Sequence, residues 1–407
     1  MTLTSRLLAG TMLSAVLMSA PALAQGEPVP TAAPNAPDQS PAFPEQKNAP
    51  QPETLAEVEQ EVIAEGLPQL WAMEFLPDGR MLVTAKEGAL HIVTPEGEAS
   101  EPIAGVPEVD ARGQGGLLDV ALAADFESSN RIFMSFAEPR EDGNGTAVAA
   151  ATLVLDDSGG ATLEDVEVIF RQQPSYDGDK HFGSRIVPTE DGHLYVTVGE
   201  RSDQPVRTQA QELASGLGKI FRIDSEGNAA ADNPFVDTEG ALPEIWSLGH
   251  RNTQSATLDG QGRLWIVEHG AAGGDEVNLP EAGLNYGWPD VAYGVEYSGD
   301  QIGEGITANA ETQQPVYYWD PVVAPSGMAY YEGTEFPGWE GAFLVGGLVT
   351  QDVVVLHIDN DLVAFEERVP VGARVRDVRV GPDGAVYAVT EDPEAGTSTI
   401  VRMTQAS

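Results

Sequence analysis

PDGRMLVT, from Pro77 to Thr84, places a turn built on Asp78 and Gly79 directly before a run of apolar and β-branched residues. The pattern returns as SSNRIFMSF (Ser128 to Phe136), EDGHLYVTV (Glu190 to Val198), GQGRLWIVE (Gly260 to Glu268), GWEGAFLVG (Gly338 to Gly346) and PDGAVYAVT (Pro382 to Thr390). Asp, Asn and Gly favour tight turns and the residues after them favour strands, so each copy reads as a hairpin. Six copies spaced roughly 40 to 80 residues apart predict six units of one kind. A single four-stranded sheet cannot bury both of its faces. Six sheets stacked radially around a channel can, so the expected fold is all-β: a six-bladed β-propeller of four-stranded antiparallel blades. A β-sandwich with irregular loops has no need of one motif six times.

Working outward, the uneven spacing implies insertions. Those rich in His, Gly and Asp fall between Gln172 and Arg185 and between Gly249 and Gly294, where function is to be sought. At the N-terminus, Arg6 precedes an apolar run from Leu7 to Ala20 and then Pro21-Ala22-Leu23-Ala24. That is the pattern of a signal peptide over residues 1–24, cleaved after Ala24, and it predicts export. The run is shorter than the ~20 residues a membrane-spanning helix needs, so no membrane insertion is expected. Residues 25–53, dominated by Pro, Ala, Gln and Glu, read as a disordered or extended tether. The catalytic propeller is expected over 54–407 as one domain, with Glu53 to Glu65 the one plausible helix. The chain has no cysteine, which excludes a disulfide framework, a haem CxxCH motif and an iron–sulfur cluster.

Asp and Glu number 64 against 21 Lys and Arg, a formal net charge of -43. Nucleic acid and anionic membrane surfaces repel such a chain, so neither is an expected partner. Most of these acids belong on a hydrated surface. No strand leads into GxGxxG and a helix, which argues against a dinucleotide cofactor.

Four islands have compositions poorly suited to loop filler. Arg112-Gly113-Gln114-Gly115-Gly116 lets backbone approach a ligand and offers the Gln114 amide, although glycine clusters also make plain turns. Lys180-His181-Phe182-Gly183-Ser184-Arg185 brings one of only six histidines to a blade entrance, as a general base or as a structural residue. Leu248-Gly249-His250-Arg251-Asn252 offers in Arg251 a planar fork for a carboxylate or quinone oxygen, with Asn252 beside it, while His250 reads equally as a buried hydrogen-bonding residue. Glu268-His269-Gly270-Ala271-Ala272-Gly273-Gly274-Asp275-Glu276-Val277-Asn278, followed by Asn285-Tyr286-Gly287-Trp288-Pro289, supplies hard oxygen ligands of the kind calcium takes.

Taken in this order, the islands resemble the soluble aldose sugar dehydrogenases, or glucose/sorbosone dehydrogenase family, from about Gly66 to Met403. The resemblance rests on the strings GHRN and EHG...GGDEVN...NYGWP. It implies a usually periplasmic six-bladed propeller that binds pyrroloquinoline quinone (PQQ) and Ca2+, oxidises a sugar at C1 and passes electrons to an external acceptor. By the same resemblance His181 is the general base and Gln114, Arg251 and Asn252 bind PQQ. Arg374 and Arg376 contact the PQQ carboxylates. The carbonyls of Gly270 and Ala271 bind the catalytic calcium, and Glu276 and Tyr286 an associated one. Two departures stand out. Gly270-Ala271 replaces the family's usual Gly-Pro, which a carbonyl ligand tolerates. Val349 stands where the family commonly places a PQQ-contacting lysine, which removes a positive charge from an anionic cofactor.

Glu200 closes the strand after His181 and is expected to orient its imidazole. Two other functions use the same scaffold: a calcium-dependent lactone hydrolase, which needs no Arg374/Arg376 clamp, and a non-catalytic binding propeller.

Overall fold

The computed structural model describes residues 26–156 and 160–406. The expected signal peptide therefore lies outside the described residues. The turn chemistry of the repeat works as read. At Pro77–Arg80 the Leu76 amide bonds to the Arg80 carbonyl at 2.8 Å, Asp78 accepts from the Arg80 amide at 3.1 Å, and Gly79 sits at φ +86. A side chain at Gly79 would be strained there.

The strands form six antiparallel sheets. Their innermost strands are Leu70–Phe75, Leu117–Leu122, Ile186–Pro188, Thr253–Leu258, Pro325–Tyr330 and Arg374–Val380, in blades 1 to 6. Each packs against the next, and the sixth packs back on the first, so the ring is closed. Blades 2 to 6 have four regular strands and blade 1 has three. An irregular fourth edge completes blade 1, where the Ser100 and Ile103 amides bond to the carbonyls of Ile92 and Leu90, both at 2.8 Å.

Side-chain alternation on each strand feeds two interfaces. Met134 packs in the cluster between blades 1 and 2 with Trp71 and Val120. Its neighbour Phe133 packs between blades 2 and 3 with Val196 and Phe221. Ile266 and Trp265 divide in the same way between blades 3 and 4 and blades 4 and 5. Leu344 joins blades 5 and 6, and Val389 joins blade 6 to Met73 and Val83 of blade 1. A hydroxyl at or next to the end of the repeat in blades 1 to 3 makes a second link. Thr84 donates to the Leu118 carbonyl at 2.5 Å, Ser135 to Ser184 at 2.6 Å and Thr197 to Thr253 at 2.9 Å, each in or at the start of the next blade. Between the two mouths of the channel, buried Arg185 pairs with Asp119 at 2.8 Å and Asp377 at 3.1 Å. One buried network thus ties blades 2, 3 and 6 together across the ring.

Two expectations change. Glu53 to Glu65 is no helix: Val58–Pro68 is the outer strand of blade 6, paired with Thr397–Gln405. Without it the C-terminal strand would be an open edge, and closing the ring outweighs local helix preference. The tether also departs from the reading as a free segment. Gln46 is fully buried and Ala49 lies in the core cluster between blades 4 and 5. Few large apolar residues are needed, because polar side chains dock this segment. The loop Gln172–Arg185 falls between blades 2 and 3 as expected, whereas 249–294 contains three of the blade 4 strands, and the long irregular insertion of that blade is 279–316. Among the described residues no helix is long and apolar enough to cross a membrane.

Candidate active site

The loop before blade 3 enters the channel mouth in an unusual conformation. His181 has φ +51 and Ser184 φ +95, values that L residues adopt only when the surroundings hold them. The restraints come from other blades. The His181 amide donates to Gln114 Oε1 at 2.8 Å and the Gly183 amide to Asn252 Oδ1 at 3.0 Å. Thr146 Oγ1 donates to the Phe182 carbonyl at 2.7 Å. Gln114 and Asn252, expected as cofactor ligands, therefore also fix the loop that carries the histidine, each through its carbonyl oxygen.

Glu200 lies behind the ring, fully buried, with Oε1 at 3.1 Å from His181 Nδ1. Burial lowers the imidazole pKa and Arg251 adds to this, outweighing the pull of Glu200 in the other direction. For Glu200, burial alone would raise the pKa, but His181 and Arg251 hold it below the ordinary value. The pair is thus a neutral imidazole that donates from Nδ1 to a carboxylate, which leaves Nε2 as the proton acceptor for a molecule in the cavity His181 lines.

That cavity, of about 290 Å³, brings together Gln114, His181, Arg251, Asn252, Arg374 and Arg376. These residues come from distant parts of the chain. Arg376 makes a two-pronged pair with Glu391, at 2.9 and 3.0 Å, and Arg374 Nε donates to the same carboxylate at 2.9 Å. Burial would raise the Glu391 pKa, and the two guanidiniums more than reverse that. Lys86 and Val349 also line the cavity. Val349 is 56% exposed and contributes no charge. Lys86, which the sequence reading passed over, lies on the wall and donates to the Ala111 carbonyl at 2.6 Å. The lining therefore holds Lys86, Arg251, Arg374 and Arg376 against the one carboxylate Glu391, a cationic hollow in a chain of net charge -43. Its chemistry suits an anion with several carboxylates.

On the blade 4 side the Glu268–Asn278 island reaches the cavity through His269. His250 is a positioning residue: its Nδ1 lies 2.9 Å from Glu268 Oε1, and Glu268 Oε2 accepts the Arg251 amide at 2.6 Å. Arg251 reaches over the Trp288 ring, 5.0 Å from its centroid, and donates to the Gly270 carbonyl at 2.5 Å and the His269 carbonyl at 3.1 Å. Its Nε is buried without a partner. His269 and Gln254 were also missed as cavity residues; their side chains meet at 3.3 Å. His269 stands in the island singled out by sequence, but without a role of its own there, and nothing in the local sequence marks Gln254.

Arg251 and His269 separate the cavity from a much smaller hollow lined by Gly270, Glu276 and Tyr286. Ala271 is buried beside it. Burial, with Glu268 and Asp275 nearby, pushes the Glu276 pKa well above the usual carboxylate range, and Asn278 Oδ1 is buried without a partner. Such oxygen donors without a counter-charge fit a cation. The Tyr286 hydroxyl is spent on the Leu279 carbonyl and the Glu281 amide, so its backbone oxygen is what remains for a metal. Among the described residues, no three His, Asp or Glu side chains converge as a ready metal cluster.

Comparison with known proteins places the chain as a whole. The model of the Glucose / Sorbosone dehydrogenase family matches residues 67–402. Aldose sugar dehydrogenase YliI of Escherichia coli (strain K12) is 42% identical over 343 residues, 83% of this chain and 91% of that protein. The solved apo-form of the soluble aldose sugar dehydrogenase from Escherichia coli superposes with a TM-score of 0.80 at 39% identity, covering 86% of this chain and all of the other. A PQQ-bound aldose sugar dehydrogenase from Streptomyces coelicolor superposes at 0.69 with 28% identity, covering 86% and 99%. With the sequence match running through all six blades and the backbone agreeing over the same span, the chain belongs to the glucose/sorbosone dehydrogenase family.

Proposed function

We propose that the protein oxidises an aldose at C1 to the lactone with PQQ and Ca2+, and passes the electrons to an external acceptor. Its family makes it an oxidoreductase. The observation that carries the finer reading is the cationic cavity into which a carboxylate-backed neutral histidine opens. Arg251, Arg374, Arg376 and Lys86 would hold the anionic cofactor, with Gln114 and Asn252 beside them. Gly270 and Ala271 carbonyls would hold one calcium, and Glu276 with the Tyr286 carbonyl another.

When bound, the quinone with its calcium supplies the two-electron acceptor for hydride from the sugar carbon. The remaining steps belong to the chain. His181 Nε2 takes the hydroxyl proton, which requires the neutral ring that burial secures. Glu200 keeps Nδ1–H aimed away from substrate and stabilises the imidazolium once formed. Arg251 places positive charge where negative charge develops. Residues 1–24 as a signal peptide would put this reaction in the periplasm, where a small-molecule or protein acceptor takes the electrons.

The test is reconstitution of the purified protein with PQQ and calcium, followed by dye reduction with a panel of aldoses. Reduction that needs both additions supports the reading. Lactone hydrolysis without PQQ, or silence in both assays, overturns it.

A further inference from the structure

The N-terminal segment lies outside the family match, which begins at residue 67, yet it touches the most irregular part of the site. It closes on itself: the Gly26 amide donates to the Gln51 carbonyl and the Gln51 amide to Glu27, both at 3.2 Å, with a bridge between Pro28 and Pro50. From this closed loop, polar side chains reach the blade 4 insertion. Gln39 makes a reciprocal pair with the Gly294 backbone, donating to its carbonyl at 3.0 Å and accepting its amide at 2.7 Å. Gln46 accepts from the Tyr293 hydroxyl at 2.9 Å and donates to the Pro315 carbonyl at 2.9 Å. The segment's backbone caps Asp320 through the Asn35 and Ala36 amides, at 2.7 and 2.9 Å.

The far side of Gly294 is the carbonyl loop. Val295 and Ala272 exchange backbone hydrogen bonds at 3.0 and 2.9 Å, and Gly294 lies so close to Gly273 that no side chain would fit. Two residues past Val295, Tyr297 projects over the cavity it helps to line, 76% exposed. A ring held there offers an apolar face to a sugar.

We infer that residues 28–50 are a strap that positions the mouth of the site, with Gln39 and Gln46 as positioning residues that set the Gly270–Gly274 loop and Tyr297 for an aldose. This rests on the proposed sugar-oxidising reading. The insertion 279–316 has turns of its own, such as Val291 on Gly287 and Ala292 on Ile306, and the strap adds outside anchors at Tyr293, Gly294 and Pro315; an ordered rim lowers the entropy lost when substrate binds.

The test uses the full chain with Gln39→Ala, a half-buried side chain whose removal leaves the core intact, and Gln39→Glu, which keeps the acceptor for the Gly294 amide and loses the donor. Hydrogen exchange is read first, on the ligand-free protein. Gln39→Ala is expected to speed exchange roughly tenfold at Gly294 and also at Val295 and Ala272, with Gln39→Glu between it and wild type and blades 2 and 3 unchanged. Kinetics on the reconstituted enzyme should then show KM for the aldose raised several-fold with kcat within twofold. Unchanged exchange at Val295 and Ala272 overturns the strap. Faster exchange with an unmoved KM overturns its positioning role. If the wild type oxidises no aldose, the catalytic reading falls, and the exchange data alone judge the strap.

Discussion

The two sides of the site are built on different terms. On the His181 side the groups that hold the histidine are matched within the protein, the His181 amide with Gln114, its ring with Glu200 and the Gly183 amide with Asn252, while Arg201 Nη1 nearby is buried without a hydrogen-bond partner among the described residues. On the blade 4 side, behind Arg251 and His269, more is left open: Arg251 Nε, Asn278 Oδ1, Trp288 Nε1 and the Tyr318 hydroxyl are buried without hydrogen-bond partners among the described residues, and Glu276 lines the small hollow there. Buried polar groups are nearly always satisfied, so a cluster of exceptions marks where a ligand completes the structure. The side that holds His181 is largely preorganised by the chain, and the blade 4 side leaves more of its polar atoms for a ligand to complete.

The sharpest way to break this comparison is His181→Ala. Turnover should fall about 100- to 10,000-fold, the usual contribution of a general base, while PQQ titration followed by absorbance stays as in wild type. Normal turnover at saturating PQQ would move the role to His269, the other cavity histidine.

Next is Glu200→Gln. A hydrogen bond to a charged partner is worth about 1.5–3 kcal/mol, so turnover should drop about 10- to 100-fold. The pH profile sharpens the point. Because the His181 pKa is lowered by burial, the neutral base persists below the ordinary imidazole value of about 6.5, and activity should fall only on the acid side of it. Glu200 is the group that pulls this pKa up, so its neutralisation should move the acid limb still lower. An unmoved limb with wild-type turnover would show that the two residues do not work as a pair.

Arg251→Ala tests the other side and should weaken PQQ binding about 10- to 100-fold along with turnover, by the same hydrogen-bond arithmetic. If affinity holds and only turnover falls, Arg251 acts on the developing charge alone.

The smallest effect expected is thermal. Calcium at a hundred times its Kd stabilises by about 2.7 kcal/mol, a rise of a few degrees in Tm for a domain this size, reversed by chelator. Glu276→Gln should abolish that rise and leave the ligand-free Tm nearly unchanged. A calcium response that survives the substitution would put the ion elsewhere.

Much of this was written locally. The Asp-Gly turns before alternating strands need only nearest neighbours, so Pro77–Thr84 and its five relatives fix hairpins and, by their number, the blades. The four islands stand out by composition, while the choice of His181, Arg251 and Asn252 from them came from the family resemblance; the three line one cavity. What no local pattern holds is the closure of the ring. It turned Val58–Pro68 from an expected helix into a strand, because an open edge on Thr397–Gln405 costs more than a helix propensity returns. It brought Lys86, Gln254 and Glu391 to the cavity from unremarkable positions in or just after strands, and it gave a Pro- and Gln-rich tail somewhere to dock. Local sequence determines which backbone conformations are cheap. Only the assembled ring determines which side chains share a low-dielectric space and which carboxylate stands behind which histidine, because those energies exist only between segments far apart in the chain.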